Sequence, residues 1–196
     1  MRPLILASSS PYRQALLSRL GVPFTAHAPA IDEQRHDQET ALALVLRLAE
    51  AKARALAEHY PGHLIIGSDQ VAVLVRDGNE QVLGKPGGFE QAREQLTACS
   101  GQRVTFLTGL ALLDTATGEC QVDAVPFTVT LRPLDTATLE RYLRAEQPYD
   151  CAGSFKAEGL GVSLFESTEG PDATSLVGLP LIRLVAMLAA AGIAVP

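Results

Sequence analysis

Tryptophan is absent from the 196-residue chain, and aromatic residues make up only 5% of it. Basic residues are outnumbered as well: 16 Lys and Arg stand against 22 Asp and Glu, a formal net charge of -6. That balance argues against general nucleic-acid binding, which needs a cationic face to displace the counterions of a phosphate backbone. It does not exclude a small anion, because a local cluster of Lys and Arg can hold phosphates on an acidic protein. Cysteine is scarce. Cys99, Cys120 and Cys151 are odd in number and widely spaced, with no CxxC pair, which fits a reducing cytoplasm better than a disulfide framework. The apolar run within MRPLILASSSPYR is too short for a signal peptide. The best membrane-span candidate, Leu176 to Ala191, is interrupted by Pro180 and Arg183, so no membrane association is expected. HExxH, GxSxG and GxGxxG are all missing. Gly78 and Gly84-Lys85 are spaced one residue too far apart for a phosphate loop, and Pro86 stands where that loop needs Ser or Thr. His27, His36, His59 and His63 show no metal-ligand spacing.

What is present is 47% hydrophobic and 19% charged, enough to bury a core in one domain of this length without metals or disulfides. Leu4-Ile5-Leu6-Ala7 reads as a buried strand. Ser10 and Pro11 then supply an N-cap and a first-turn proline for a helix ending at Gly21. A loop covers Val22 to about Asp37. A long helix is expected from about Glu39 to His59, with Leu42, Val45, Leu46, Ala49, Ala53 and Leu56 on its apolar face. Leu64-Ile65-Ile66 reads as a strand entering a Gly67-Ser68-Asp69-Gln70 segment, with Val71 to Val75 continuing it and Asp77-Gly78-Asn79 marking a turn. A helix from Phe89 to Cys99, two strands (Val104 to Leu113 and Cys120 to Leu131) joined by a hairpin at Asp114 to Gly118, and a helix capped by Asp135 follow. Cys151 to Phe165 reads as extended segments near a ligand, and Ser175 to Ala191 as one last helix. The alternation predicts an α/β fold.

Charged residues at the ends of apolar runs are the candidates for chemistry. Ser8, Ser9, Ser10 and Arg13 around a helix N-terminus can form an anion site, although a capped helix with a surface arginine explains them at least as well. Asp69 follows a strand and can hold a metal or deprotonate water; a turn aspartate explains it equally. Lys52 and Lys85 can pair with phosphate oxygens, yet solvated lysine is the ordinary reading of each. Glu33 is a second candidate metal ligand, or a plain loop acid. Glu158, in the glycine-flanked Gly153 to Gly159 stretch, can accept hydrogen bonds from a base edge, or simply belong to a polar turn.

Taken together and in order, LILASSSPYRQALL, APAIDE, LAEAKA, LIIGSDQ, GKP, VTFLTGLAL, CAGSFKAEGLG and SLVGLPL resemble the Maf family of nucleotide pyrophosphatases. They span nearly the whole chain, and the resemblance is closest to the branch that acts on 7-methyl-GTP. It implies a single domain over residues 1–196, a mixed elongated sheet flanked by helices, and two lobes around a cleft, similar to inosine triphosphate pyrophosphatases. It implies Asp69 as general base and metal ligand, Glu33 as metal ligand, and Ser8, Arg13, Lys52 and Lys85 as triphosphate ligands. Tyr12, Gln70 and Glu158 match positions linked to base selection, and the cofactor is a divalent cation (Mg, Mn or Co). The family often carries two arginines after the serine loop; here the second is Gln14. The implied setting is a cytoplasmic enzyme that clears modified nucleotides, with a homodimer as the expected assembly. Two other readings stay open: a dTTP/UTP pyrophosphatase of the same family, and a non-catalytic regulatory protein linked to septum formation.

Overall fold

The computed structural model of the chain describes residues 2–76 and 78–195. Among these residues it forms β1 (Leu4–Ala7), α1 (Pro11–Ser18), β2 (Phe24–His27), α2 (Ala41–Arg54), β3 (Leu64–Arg76), β4 (Asn79–Leu83), α3 (Phe89–Cys99), β5 (Arg103–Asp114), β6 (Cys120–Leu131), α4 (Thr136–Glu146), β7 (Phe165–Glu169) and α5 (Leu181–Ala190). The strands pair in the order β2-β1-β3-β5-β6-β7, with β4 on β3. β1 is parallel to β2 and β3, whereas β3–β4 and β6–β7 are antiparallel. The sheet is therefore mixed and the fold is α/β, as the alternation of elements predicts.

Two compact units form: Met1–Asp69 with Thr108–Val125 and Asp172–Pro196, and Gln70–Leu107 with Pro126–Pro171. In the first, strand alternation sorts the core onto two faces. Leu4, Leu6, Leu64, Ile66, Leu110 and Leu112 pack with Leu16 and Leu17 of α1 and with Leu184, Met187 and Leu188 of α5. Ile5, Ala7, Ile65, Ala111 and Leu113 pack on the other side with Ala49 and Ala53 of α2. The helix α2 lies very close to the sheet. A Cβ on Gly67 would fall 2.0 Å from the Ala49 carbonyl oxygen, and one on Gly109 would fall 2.1 Å from that of Val45. Only glycine admits this approach.

In the second unit, β3 and β4 pair from Ala72↔Leu83 to Arg76↔Asn79. Gly78 has φ +77 between them, and Asp77 of the expected turn lies outside the described residues. Asp135 caps α4 by accepting from the Thr138 amide at 2.7 Å. Phe155 packs edge-on against Phe106 and Phe165, with ring centroids 5.1 and 5.0 Å away.

Five expectations change. The segment after α1 contains β2, whose Phe24 to His27 alternate half-buried and exposed. The long helix is shorter, Ala41–Arg54, followed by a turn of 3-10 helix at Ala57–His59. Its buried stripe keeps Val45, Ala49 and Ala53 but widens towards Leu44, Leu48 and Lys52 and leaves Leu42 49% exposed. The last helix splits, because Gly178 takes φ +104 after a 3-10 turn at Ala173–Val177 and Pro180 precedes α5. The stretch 151–165 is mostly 3-10 turns rather than extended chain.

Candidate functional site

The first unit gathers Ser8, Arg13, Glu33, Lys52 and Asp69. Asp69 does not end a strand, as its Gly-Ser-Asp setting suggests; it sits within the unbroken thirteen-residue β3. Alternation along β3 decides what it meets. Ile65 and Gly67 face α2, so Asp69 faces α2 as well. There its Oδ1 accepts from Lys52 Nζ at 2.7 Å. Lys52 Nζ also lies 3.1 Å from Glu33 Oε1. The side chains of Lys52 and Asp69 retain 7% and 9% of their exposure, against 56% for Glu33. Lys52 is thus not the solvated lysine that its position in the sequence suggests. It belongs to the buried stripe of α2, where a carboxylate partner satisfies its charge.

Ser68, the preceding residue, faces the opposite side. Its hydroxyl lies 2.9 Å from the carbonyl oxygens of both Gly109 and Gly178. The Gly178 carbonyl also accepts from Arg13 Nε at 2.8 Å. A Cβ on Gly178 would stand 3.2 Å from that nitrogen, in a backbone region that L-residues rarely adopt. Arg13 is placed from its own end by the serine loop: Ser10 caps α1 and its hydroxyl accepts from the Arg13 amide at 3.4 Å. Arg13 is half-buried. That burial lowers its pKa, while the charges of Asp69 and Glu33 act to raise it. The arginine remains a cation at neutral pH. With Nε fixed on a carbonyl, the two terminal nitrogens are the donors left for an anion.

Ser8 is 5% exposed, and its hydroxyl accepts from the Ser10 amide at 3.1 Å. β1 pairs with β3 as far as Leu6↔Ile66, and the chain then turns, with the Ser8 amide donating to the Leu6 carbonyl at 2.9 Å. The serine loop therefore leaves the carboxyl end of a parallel strand, where open α/β sheets receive ligands. Tyr12, one residue before Arg13 on α1, is half-buried.

Gln70, Lys85 and Glu158 belong to the second unit. Gln70 is half-buried on β3, next in sequence to Asp69. Lys85 is exposed in the loop between β4 and α3. Glu158 is exposed on a turn that is anchored on both sides. The Lys156 amide donates to the Tyr142 hydroxyl at 3.0 Å, and the Leu160 amide donates to Glu146 Oε2 at 2.6 Å.

Two carboxylates, Asp69 and Glu33, converge on one cationic point, at present the Lys52 ammonium. No group of three or more His, Cys, Asp or Glu side chains able to hold a metal forms among the described residues. Two hard oxygen donors fit a divalent cation such as Mg, which takes one or two carboxylates and completes its shell with water and substrate phosphates. Reading the sequence missed Ser68 and Gly178 as supports of Arg13. A buried serine inside an apolar strand and a glycine ahead of Leu-Pro were the available signals.

No helix among the described residues is long and apolar enough to cross a membrane. Across its full length the chain is 69% identical over 196 residues to the protein named 7-methyl-GTP pyrophosphatase of Pseudomonas fluorescens, also covered completely. It is 62% identical over 196 residues, again all of both chains, to the protein of the same name from Pseudomonas aeruginosa. With that of Alcanivorax borkumensis it shares 58% over 193 residues, 98% of this chain and 96% of that one. Among solved structures it resembles a HAM1 protein from Coxiella burnetii at TM-score 0.53 and 14% identity, covering 97% of this chain and 100% of that one. It also resembles the Staphylococcus aureus Ham1 protein, at TM-score 0.54, 12% identity and the same coverage; both likenesses concern the fold alone. The family model for Maf-like proteins matches residues 3–191, and the chain belongs to that family.

Proposed function

We propose that this chain is a divalent-metal-dependent pyrophosphatase that hydrolyses 7-methyl-GTP to 7-methyl-GMP and pyrophosphate, with residues 1–196 acting as one catalytic domain. The observation that carries the reading is the buried Lys52–Asp69 contact, with Glu33 on the same ammonium and the Arg13 guanidinium close enough to feel both carboxylates. Full-length relatives named 7-methyl-GTP pyrophosphatase support the choice of substrate.

In this reading Asp69 is the general base. It takes a proton from water as the oxygen attacks the α-phosphorus, and the bond from that phosphorus to the α–β bridging oxygen breaks, releasing pyrophosphate. Asp69 and Glu33 would hold the cation (Mg, Mn or Co), which supplies charge neutralisation and Lewis acidity when bound. Ser8, Arg13, Lys52 and Lys85 bind the triphosphate. Lys52 is placed to exchange its carboxylate partners for phosphate oxygens as substrate and cation arrive. Cations fixed in advance are effective here because they stabilise developing charge without reorganising at the moment of reaction.

Tyr12, Gln70 and Glu158 select the base. Glu158 is an acceptor-only carboxylate that suits guanine N–H donors and the positive ring of a 7-methylated base. Tyr12 stacks on that ring, a contact worth roughly 0.5–2 kcal/mol. The protein works in the cytoplasm, removing modified nucleotides, and is a homodimer; light scattering checks the last point.

The test is pyrophosphate release from 7-methyl-GTP, GTP, UTP and dTTP with Mg, Mn or Co, for wild type and Glu158→Gln. Wild type is expected to prefer 7-methyl-GTP, and the variant to lose that preference. Preference for UTP and dTTP by wild type would indicate the other substrate class of the family. No hydrolysis of any of them would point to a regulatory role.

A further inference from the structure

Glu33 lies in the segment between β2 and α2, outside any helix or strand, with more than half of its side-chain surface exposed. A ligand on such a segment needs something to hold it. Arg47 of α2 does so. Its Nε donates to Glu39 Oε1 at 2.6 Å and its Nη2 to Glu39 Oε2 at 2.8 Å, a two-pronged pair. Nη2 also donates to the Gln34 carbonyl at 3.1 Å, on the residue adjoining Glu33. On the other side of Glu33, Asp32 Oδ1 accepts from the Gln34 amide at 2.9 Å and closes a local turn. Glu39 reaches back into the same segment: its Oε2 accepts from the His36 amide at 3.1 Å, and its carbonyl accepts from Arg35 Nε at 2.8 Å.

This network is not a by-product of starting the helix. Thr40 already caps α2, accepting from the Ala43 amide at 3.1 Å. Nor is it a freely solvated surface pair, since the Glu39 side chain retains 9% exposure and that of Arg47 30%. Arg47 stands five residues before Lys52 on one helix, so a single rigid element carries both the ammonium that Glu33 meets and the clamp on its segment.

We infer that Arg47 is a positioning residue: through Glu39 and the Gln34 carbonyl it holds the 32–39 segment against α2, so that Glu33 is presented beside Asp69 to the divalent cation. This rests on the reading of Glu33 and Asp69 as cation ligands. Lysine cannot replace it, because an ammonium lacks the planar fork that binds both Glu39 oxygens and the carbonyl together.

The experiment compares full-length wild type, Arg47→Met and Arg47→Lys. Backbone hydrogen exchange is followed without metal, and the Mn concentration giving half-maximal hydrolysis is measured at saturating nucleotide. In Arg47→Met, exchange should accelerate over residues 32–39 and stay at the wild-type rate in α5. The half-activating Mn concentration should rise by about tenfold, as for other supports of metal ligands, with the nucleotide KM at saturating Mn unchanged. Arg47→Lys, with its charge intact, should behave the same way. Unchanged exchange over 32–39, or faster exchange with an unchanged Mn requirement, overturns the inference. So does full rescue by lysine, which would reduce the role to charge alone. If wild type hydrolyses no nucleoside triphosphate at any Mn concentration, it is the cation-site reading that fails; the exchange measurement still decides whether Arg47 holds the segment.

Discussion

Lys52 Nζ donates to Asp69 Oδ1 at 2.7 Å, inside the sheet–helix interface of the first unit and almost out of contact with water. A cation and an anion buried together hold each other's charge, and a buried carboxylate that loses its contacting cation keeps the cost of its own burial. Replacing Lys52 with Met keeps the apolar stem and strands the Asp69 carboxylate. The expected loss of stability is about 3–5 kcal/mol at neutral pH, read by chemical denaturation. A loss below about 1 kcal/mol is what an exposed pair gives, and would mean that the two groups are not buried partners.

The same contact depends on how closely α2 approaches β3. A Cβ at residue 67 would lie 2.0 Å from the Ala49 oxygen and 3.0 Å from the Ala53 nitrogen, both backbone atoms that cannot yield unless the helix moves. Gly67→Ala should therefore destabilise the protein by about 1–3 kcal/mol or more and displace Lys52 from Asp69. Gly84→Ala is the control, because nothing lies within 4 Å of the added carbon. Equal denaturation midpoints for the two variants would contradict this account of the packing.

Glu39 gives a prediction in pH. Its hydrogen bonds from Arg47, assisted by the His36 amide, lower its pKa from 4.5 to about 2. A carboxyl group held lower in the folded state contributes stability that is complete above the unfolded value and lost as pH falls through the folded one. The stability difference between wild type and Glu39→Gln should therefore be largest above pH 4.5 and shrink as the pH falls towards 2. Thermal melts of both proteins across that range check it, and a difference constant with pH would contradict it.

How far this site can be read from the sequence depends on which part is local. The α1 cap is local: Ser10 and Pro11 announce it, and Arg13 follows in the same turn. Asp135 announces α4 in the same way. The environment of Lys52 is not local. Its helix offers two neighbouring apolar stripes, one with Leu42 and Leu46 and one with Leu44 and Leu48, and the choice between them is made by the sheet, through Gly67 and Gly109. Once that choice is made, Lys52 is inside and Leu42 is outside. β2 escaped notice because four residues alternating half-buried and exposed carry little periodic signal. The last helix splits where its apolar pattern is interrupted: Gly178 ends the preceding turn with its carbonyl on Arg13 and Ser68, and Pro180 opens α5.

The central claim is that Asp69 takes the proton from the attacking water. Asn at position 69 keeps the size of the side chain and an oxygen for Lys52 but cannot act as that base. The direct measurement is pyrophosphate release from 7-methyl-GTP at saturating divalent metal by wild type and Asp69→Asn, with both shown to be folded by their melting transitions. The account predicts a fall in kcat of roughly 10²–10⁴-fold in the folded variant. Release at the wild-type rate by folded Asp69→Asn would contradict it.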